Sequence, residues 1–296
     1  MHRTSRIPTR RLGRHLCGLG LLWALIAAPA LAQAVDPTKV PVVLRLPGME
    51  QAQVRKGVVF DEAKGLAFDL YRPSTSAASA GPRLPAVVFV SGAERVREWQ
   101  WFIDYGRLAA ASGLLGIVPD KRYARSLEGI RNGTADTEAL LAWLRGHAGE
   151  LSLDPDRICL WTFSAGGRLT AVGLRKDGPA LSCLVSFYGV VDLSQDAAGL
   201  ETGREAFLRQ YSPVHALEDP EARHTPLLVV RAGRDNPGLN AGIDQLVAAA
   251  LRRNAPIRLI NLPAADHGFD GLNDNEASRA AVREALRFVR EQTGLD

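Results

Sequence analysis

Residues 157–169 read Arg157-Ile158-Cys159-Leu160-Trp161-Thr162-Phe163-Ser164-Ala165-Gly166-Gly167-Arg168-Leu169. Ile158 to Thr162 is a continuous apolar run, without the in-and-out alternation of a strand that faces water on one side. From Ala165 to about Arg175 the apolar spacing becomes that of a helix. A strand apolar on both faces that turns at once into a helix belongs to a parallel sheet covered by helices on both sides. In such sheets function collects at the carboxyl ends of the strands. Ser164 stands at one of those ends.

The same pattern extends both ways along the chain. Further apolar runs occur at Ala86–Val90, Leu114–Val118, Leu184–Phe187, Leu227–Val230 and Ile257–Leu262. Helix-period segments lie between most of them, at roughly Trp99–Ala111, Ala135–Gly146, Leu239–Arg253 and Ala277–Glu291. Upstream, Ala52–Phe60 and Leu66–Tyr71 flank the turn residues Asp61-Glu62-Ala63-Lys64-Gly65, which predicts an antiparallel hairpin. Ser74 to Pro82 (STSAASAGP) is a connector with nothing to bury. No internal repeat or composition shift divides the rest. The expected fold class is α/β: one domain over 35–296, with a doubly wound, mostly parallel sheet and an N-terminal antiparallel hairpin.

A serine between a strand and a helix is lifted off the sheet, and backbone N–H groups at the start of the helix lie beneath it. A serine hydroxyl is a weak nucleophile and needs a base. His267 follows the last strand in Asp266-His267-Gly268-Phe269, and Asp235 follows the strand before it in Ala232-Gly233-Arg234-Asp235-Asn236. An imidazole moves the proton and a carboxylate orients the imidazole. Ser164, Asp235 and His267 are therefore the candidate nucleophile, acid and base. Asp192 is an alternative acid; His215 and His224 are rival histidines away from any strand end that faces the site. The oxyanion donors expected are the backbone N–H groups of Ala165 and Ala93, the second open by one position. Trp99, Trp101 and Tyr105 are expected to pack on the sheet. Lys121, Arg122, Arg125 and Arg131 are expected to form a solvated charged face, and Asp266 to face solvent. Residues Ser194 to Glu221, amphipathic near Arg204–Gln210, are an insertion of a size for a small cap.

At this point the chain resembles the α/β-hydrolase superfamily, in its secreted esterase and dienelactone-hydrolase-like branches. The likeness runs over nearly all of residues 54–292. It includes Leu70-Tyr71-Arg72-Pro73, Leu153-Asp154-Pro155-Asp156-Arg157-Ile158 before the elbow strand, and the loop around His267. There are two departures. Thr162 stands where the family elbow usually has its first glycine, and Ser91-Gly92-Ala93 replaces an HGGG-like loop. Dienelactone hydrolases carry cysteine at the elbow, so Ser164 directs the resemblance toward hydrolysis of a carboxylic ester, with a small-molecule ester as substrate and no cofactor. Two other classes stay open: a serine peptidase acting on short peptides, and a non-catalytic binding protein on the same fold.

Of the 296 residues, 46% are hydrophobic and 23% charged, a globular balance that excludes a disordered chain. The formal charge is +4, yet Arg3, Arg6, Arg10, Arg11 and Arg14 sit in residues 1–34 without an acid. Removing those five charges from +4 leaves −1, which gives no basic face for nucleic acid. Residues 1–34 read instead as a signal peptide. After the arginines, the apolar run Leu16–Ala28 is shorter than the roughly 20 residues of a membrane span. Pro29 closes it, and small residues allow cleavage after Ala32 or Ala34. Arg10-Arg11 is a poor twin-arginine match. The expected product is secreted or periplasmic, with no membrane span after cleavage. Cys17 leaves with the leader, and Cys159 and Cys183, within buried strands, are expected to be free core thiols. Metal binding has no support, since there is no H-E-x-x-H and no paired Cys or His at ligand spacing. Gly166-Gly167 lacks the lysine of a phosphate-binding loop.

Overall fold

A computed structural model describes residues 36–74, 83–122 and 126–295. The expected leader at 1–34 lies outside these residues, as do Arg125 and positions 75–82 of the connector. The strands are β1 (Gln53–Asp61), β2 (Leu66–Arg72), β3 (Leu84–Val90), β4 (Leu115–Pro119), β5 (Leu153–Phe163), β6 (Cys183–Phe187), β7 (Leu227–Ala232) and β8 (Ile257–Leu262). The helices are α1 (Gln100–Ala111), α2 (Leu127–Gly146), α3 (Ala171–Leu174), α4 (Arg204–Tyr211), α5 (Pro213–Glu218), α6 (Pro237–Arg252), α7 (Phe269–Leu272) and α8 (Glu276–Thr293).

The strands form one sheet in the order β1-β2-β4-β3-β5-β6-β7-β8. β1 pairs antiparallel with β2, and β2 pairs antiparallel with β4. Every pairing from β4 through β3 to β8 is parallel. The antiparallel hairpin therefore forms one edge of a parallel sheet, as the sequence predicts.

Alternate residues of each central strand feed two separate cores. Val87, Phe89, Trp161, Phe163, Val185 and Phe187 pack on the face covered by α1 and α8. Ala86, Val88, Val90, Leu160, Leu184 and Val229 pack on the other face, with residues of α2, α5 and α6. Trp161 is fully buried, with Phe89 at 5.6 Å and Tyr105 at 5.3 Å between ring centroids. Burying a side chain of this size contributes about 1.5–3 kcal/mol, which anchors the elbow strand at the sheet centre. Trp99 and Trp101 are half-buried against the same core, and Tyr105 is buried in it, as expected.

Three expectations change. β8 is an edge strand, so it is only half-covered, and Leu259 is 44% exposed. The helix expected after Ser164 begins as a 3-10 segment, Ser164–Thr170, and becomes α-helical only over Ala171–Leu174. Gly166, Gly167 and Thr170 are weak helix formers, and the close contacts made by the two glycines hold this turn tight. Cys159 and Cys183 are not free thiols; they form a disulfide with an S–S distance of 2.04 Å. They are direct register partners on β5 and β6, so their side chains leave the sheet on the same face. Their Cα atoms are 4.7 Å apart, inside the range that a bridge spans.

Candidate active site

Ser164 follows β5, Asp235 follows β7 and His267 follows β8, all at the carboxyl end of the sheet. Ser164 sits at φ 53°, in the left-handed region that side-chain-bearing residues seldom occupy. That turn is held by contact on both sides. A Cβ on Gly166 would stand 2.7 Å from the Ser91 carbonyl carbon, and one on Gly167 would stand 2.5 Å from Gly189 Cα. Only glycine allows both approaches. Thr162, in place of the expected first glycine, is accommodated because it is still in the strand. Its hydroxyl donates to the Val185 carbonyl at 3.1 Å.

The three candidate residues meet. Ser164 Oγ lies 2.8 Å from His267 Nε2, and His267 Nδ1 lies 2.6 Å from Asp235 Oδ2. A carboxylate only accepts hydrogen bonds, so Nδ1 donates to Asp235 and Nε2 is left to accept from Ser164. Asp235 is almost covered, with a side chain 5% exposed, while the imidazole is 44% exposed and open to a substrate. Asp235 Oδ1 also accepts from the Asn236 N–H at 2.7 Å. The two loops are pinned together: the Arg234 N–H donates to the Ala265 carbonyl at 2.9 Å. A Cβ on Gly233 would come within 2.6 Å of Pro263 Cα.

The rival residues are gathered elsewhere. Asp192 Oδ1 accepts from the Ser194 hydroxyl at 2.7 Å and lies 3.9 Å from His215 Nδ1. His224 is exposed ahead of β7. Asp266 is half-buried, and its carboxylate accepts from Asn273 Nδ2 at 2.9 Å. The insertion carries α4 and α5, and its Phe207 and Leu208 pack with Ile130 of α2.

The Ser91-Gly92-Ala93 loop lies beside Ala165. A Cβ on Gly92 would stand 3.3 Å from Ala165 N. The Ala93 N–H, the second expected donor, donates to Ser91 Oγ at 3.0 Å.

Several residues near the site did not stand out in sequence. Asp270 is fully buried three positions after His267. It accepts from Trp101 Nε1 at 2.9 Å, Tyr105 Oη at 2.5 Å and Tyr188 Oη at 2.7 Å. Burial pushes its carboxyl up from the usual aspartate range, against the pull of these donors. The Tyr188 ring lies 4.7 Å from the His267 ring, centroid to centroid. Tyr188 is visible in the sequence as a strand-end residue; its partner Asp270 is not, because 82 positions separate the two, and the other donors to that carboxylate, Trp101 and Tyr105, lie on α1 far upstream.

Of the basic cluster, Lys121 departs from the solvated face expected, whereas Arg122 stays partly exposed and Arg131 is exposed. Lys121 is buried, and Arg122 forms an ion pair with the covered carboxylate of Asp136 at 2.7 Å. Arg131 lies over the Phe207 ring at 5.6 Å. Among the described residues, no group of three or more His, Cys, Asp or Glu is placed to hold a metal ion. No described helix is long and apolar enough to cross a membrane.

Residues 121–296 match the model of the prolyl oligopeptidase family. A probable carboxylic ester hydrolase, LipM, of Mycobacterium tuberculosis is 26% identical in an alignment 176 positions long that covers 50% of this chain and 40% of that protein. The chain thus spans well under half the length of this curated relative. Among solved structures, esterase 2 of Thermogutta terrifontis superposes with a TM-score of 0.62 at 24% identity, over 84% of this chain and 95% of that one. Esterase B of Lactobacillus rhamnosis gives 0.67 at 15% identity, over 84% and 88%. The fold is that of the α/β-hydrolases.

Proposed function

The chain belongs to the prolyl oligopeptidase family of α/β-hydrolases, and on that premise we propose that it is a serine hydrolase that cleaves carboxylic esters. Ser164 Oγ attacks the ester carbonyl carbon while its proton passes to His267 Nε2. The imidazolium so formed keeps its Nδ1–H on Asp235. The oxyanion is held by the N–H of Ala165 and by the loop 91–93. There the Ala93 N–H leaves the Ser91 hydroxyl for a charged and stronger acceptor. Each such donor is worth about 10²–10³ in rate. Collapse expels the alcohol, protonated from Nε2, and leaves an acyl group on Ser164. Water then gives a proton to Nε2 and attacks the acyl carbon. The carboxylic acid departs, and the proton returns to Oγ.

The single observation that carries this reading is the unbroken pair of hydrogen bonds, 2.8 Å and 2.6 Å, from Ser164 through His267 to Asp235. The curated ester hydrolase at 26% identity agrees with it. The substrate is a small-molecule ester. The leader reading adds that residues 1–34 direct export, so the mature enzyme works in the periplasm or outside the cell. N-terminal sequencing of exported protein is expected to start at Gln33 or Val35.

The test is hydrolysis of p-nitrophenyl acetate, butyrate and octanoate by the mature protein beside Ser164→Ala. Turnover that the variant loses supports the reading; equal rates for the two proteins overturn it. The family match favours one second reading, cleavage of short peptides, and a fluorogenic dipeptide panel separates the two.

A further inference from the structure

Lys121 is a lysine inside the protein, only 5% exposed, in the segment that follows β4. Its ammonium donates to the Ala93 carbonyl at 3.0 Å, and its backbone N–H donates to the Glu94 carbonyl at 3.1 Å. Arg168, 7% exposed, lines the same small cavity, together with Ser91, Ala165 and Gly166. Its Nε donates to the Ala165 carbonyl at 2.6 Å. Each of the two residues proposed to offer an N–H to the oxyanion therefore has its carbonyl held by a buried cation.

Two like charges in one buried place are costly. The end of a strand could be closed more cheaply with leucine or methionine. What the pair supplies that an apolar pair would not is positive charge behind the N–H groups, in a place where water screens it little.

We propose that Lys121 and Arg168 are positioning residues of the oxyanion site, holding loop 91–94 and the Ser164 turn in register and setting a positive field behind their N–H groups. This rests on Ser164 being the nucleophile and loop 91–93 supplying the second donor. The charged groups that face Lys121 are Glu94 on the loop after β3, Asp136 on α2 and Arg168 on the elbow turn. Burial first, then Arg168, lowers Lys121 from 10.5 to about 7, against the pull of Glu94 and Asp136. A neutral amine still donates to the Ala93 carbonyl. Raising the pH thus removes the charge and leaves the contact.

The experiment compares wild type, Lys121→Met and Lys121→Arg. The pH dependence of kcat and KM on p-nitrophenyl acetate is measured from pH 5 to 10. Wild-type kcat is expected to fall on the alkaline side, and both variants to lose that limb. Lys121→Met is expected to lose about tenfold in kcat at pH 6.5 with KM little changed, as for a group acting on the transition state. A limb that persists in Lys121→Met, or that wild type lacks, overturns the proposal.

A second arm needs no turnover. Gly92-Ala93 is the one Gly-Ala step in the sequence, so carbonyl-13C-glycine with 15N-alanine labels a single amide, that of Ala93. Its resonance is expected to titrate with the lysine in wild type and to lose that step in Lys121→Met. An Ala93 amide indifferent to this substitution overturns the proposal even if the protein proves not to be an esterase. Titration of the amide without ester turnover faults only the functional reading.

Discussion

Tyr188 and Asp270 share a hydrogen bond of 2.7 Å in the buried core, and the Tyr188 ring rests on His267. The loop that carries the candidate base is thereby tied to the end of β6, and through Trp101 and Tyr105 to α1. Asp270→Ala would leave three donors without an acceptor, each costing about 1–3 kcal/mol. Urea unfolding is expected to show a loss of several kcal/mol. Tyr188→Phe removes one partner only and is expected to cost about 1 kcal/mol. Its effect on kcat is expected to exceed its effect on KM, because the imidazole loses its fixed support.

Asp235→Asn keeps the shape of the site and removes the acceptor that sets the His267 tautomer. Loss of about 10³–10⁴ in kcat is expected, with substrate affinity nearly kept. Steady-state kinetics on p-nitrophenyl butyrate check this, and a variant within threefold of wild type would exclude Asp235 as the acid.

Gly166→Ala tests the elbow. The new Cβ would meet Ser91 Cα at 2.8 Å and the Val90 carbonyl oxygen at 2.8 Å, both backbone atoms with nowhere to go. Loop 91–93 must move away from Ala165, so the expected outcome is a drop of at least about tenfold in kcat with about 1–3 kcal/mol of stability lost. Gly146→Ala, with open space around it, is the control and should leave both unchanged.

The disulfide makes a covalent prediction. Alkylation of the denatured, unreduced protein should find neither Cys159 nor Cys183 free. A bridge across 24 positions removes loop entropy from the unfolded chain worth about 3 kcal/mol. The double variant Cys159→Ala, Cys183→Ala is expected to unfold at correspondingly lower urea.

Lys121 sets a pH dependence of stability with a defined sign. Its folded value is lowered from 10.5 to about 7, so between those limits the unfolded chain holds more protons. Stability therefore rises with pH across that window, by about 1.4 kcal/mol for each unit of depression. Below about 7 both states are protonated, and the cost of the buried cation is present in full. In Lys121→Met that slope should vanish. Its Tm relative to wild type should be most favourable below pH 7 and decline toward pH 10.

Periodicity and strand-end placement make much of the fold legible in the sequence. Apolar runs that alternate with helical ones require a covered parallel sheet, and a parallel sheet puts the segments after its strands at one end. Ser164, Asp235 and His267 could thus be chosen together, although 103 residues separate the first from the last. Cys159 and Cys183, expected as free thiols, are bridged instead, because strand spacing in sequence does not reveal register, and register alone makes them direct partners. Lys121, expected on a solvated face, is buried, since a charge run carries no sign of which member the neighbouring loop will cover.

The sequence by itself determined the class of sheet, its hairpin edge and the strand ends at which Ser164, Asp235 and His267 stand, because these follow from local periodicity and turn residues. Only the tertiary structure decided the disulfide, the Asp270 anchor and the two cations behind Ala93 and Ala165. Each of these depends on atoms distant along the chain that come within hydrogen-bonding or bonding reach when the sheet and its helices close on one another.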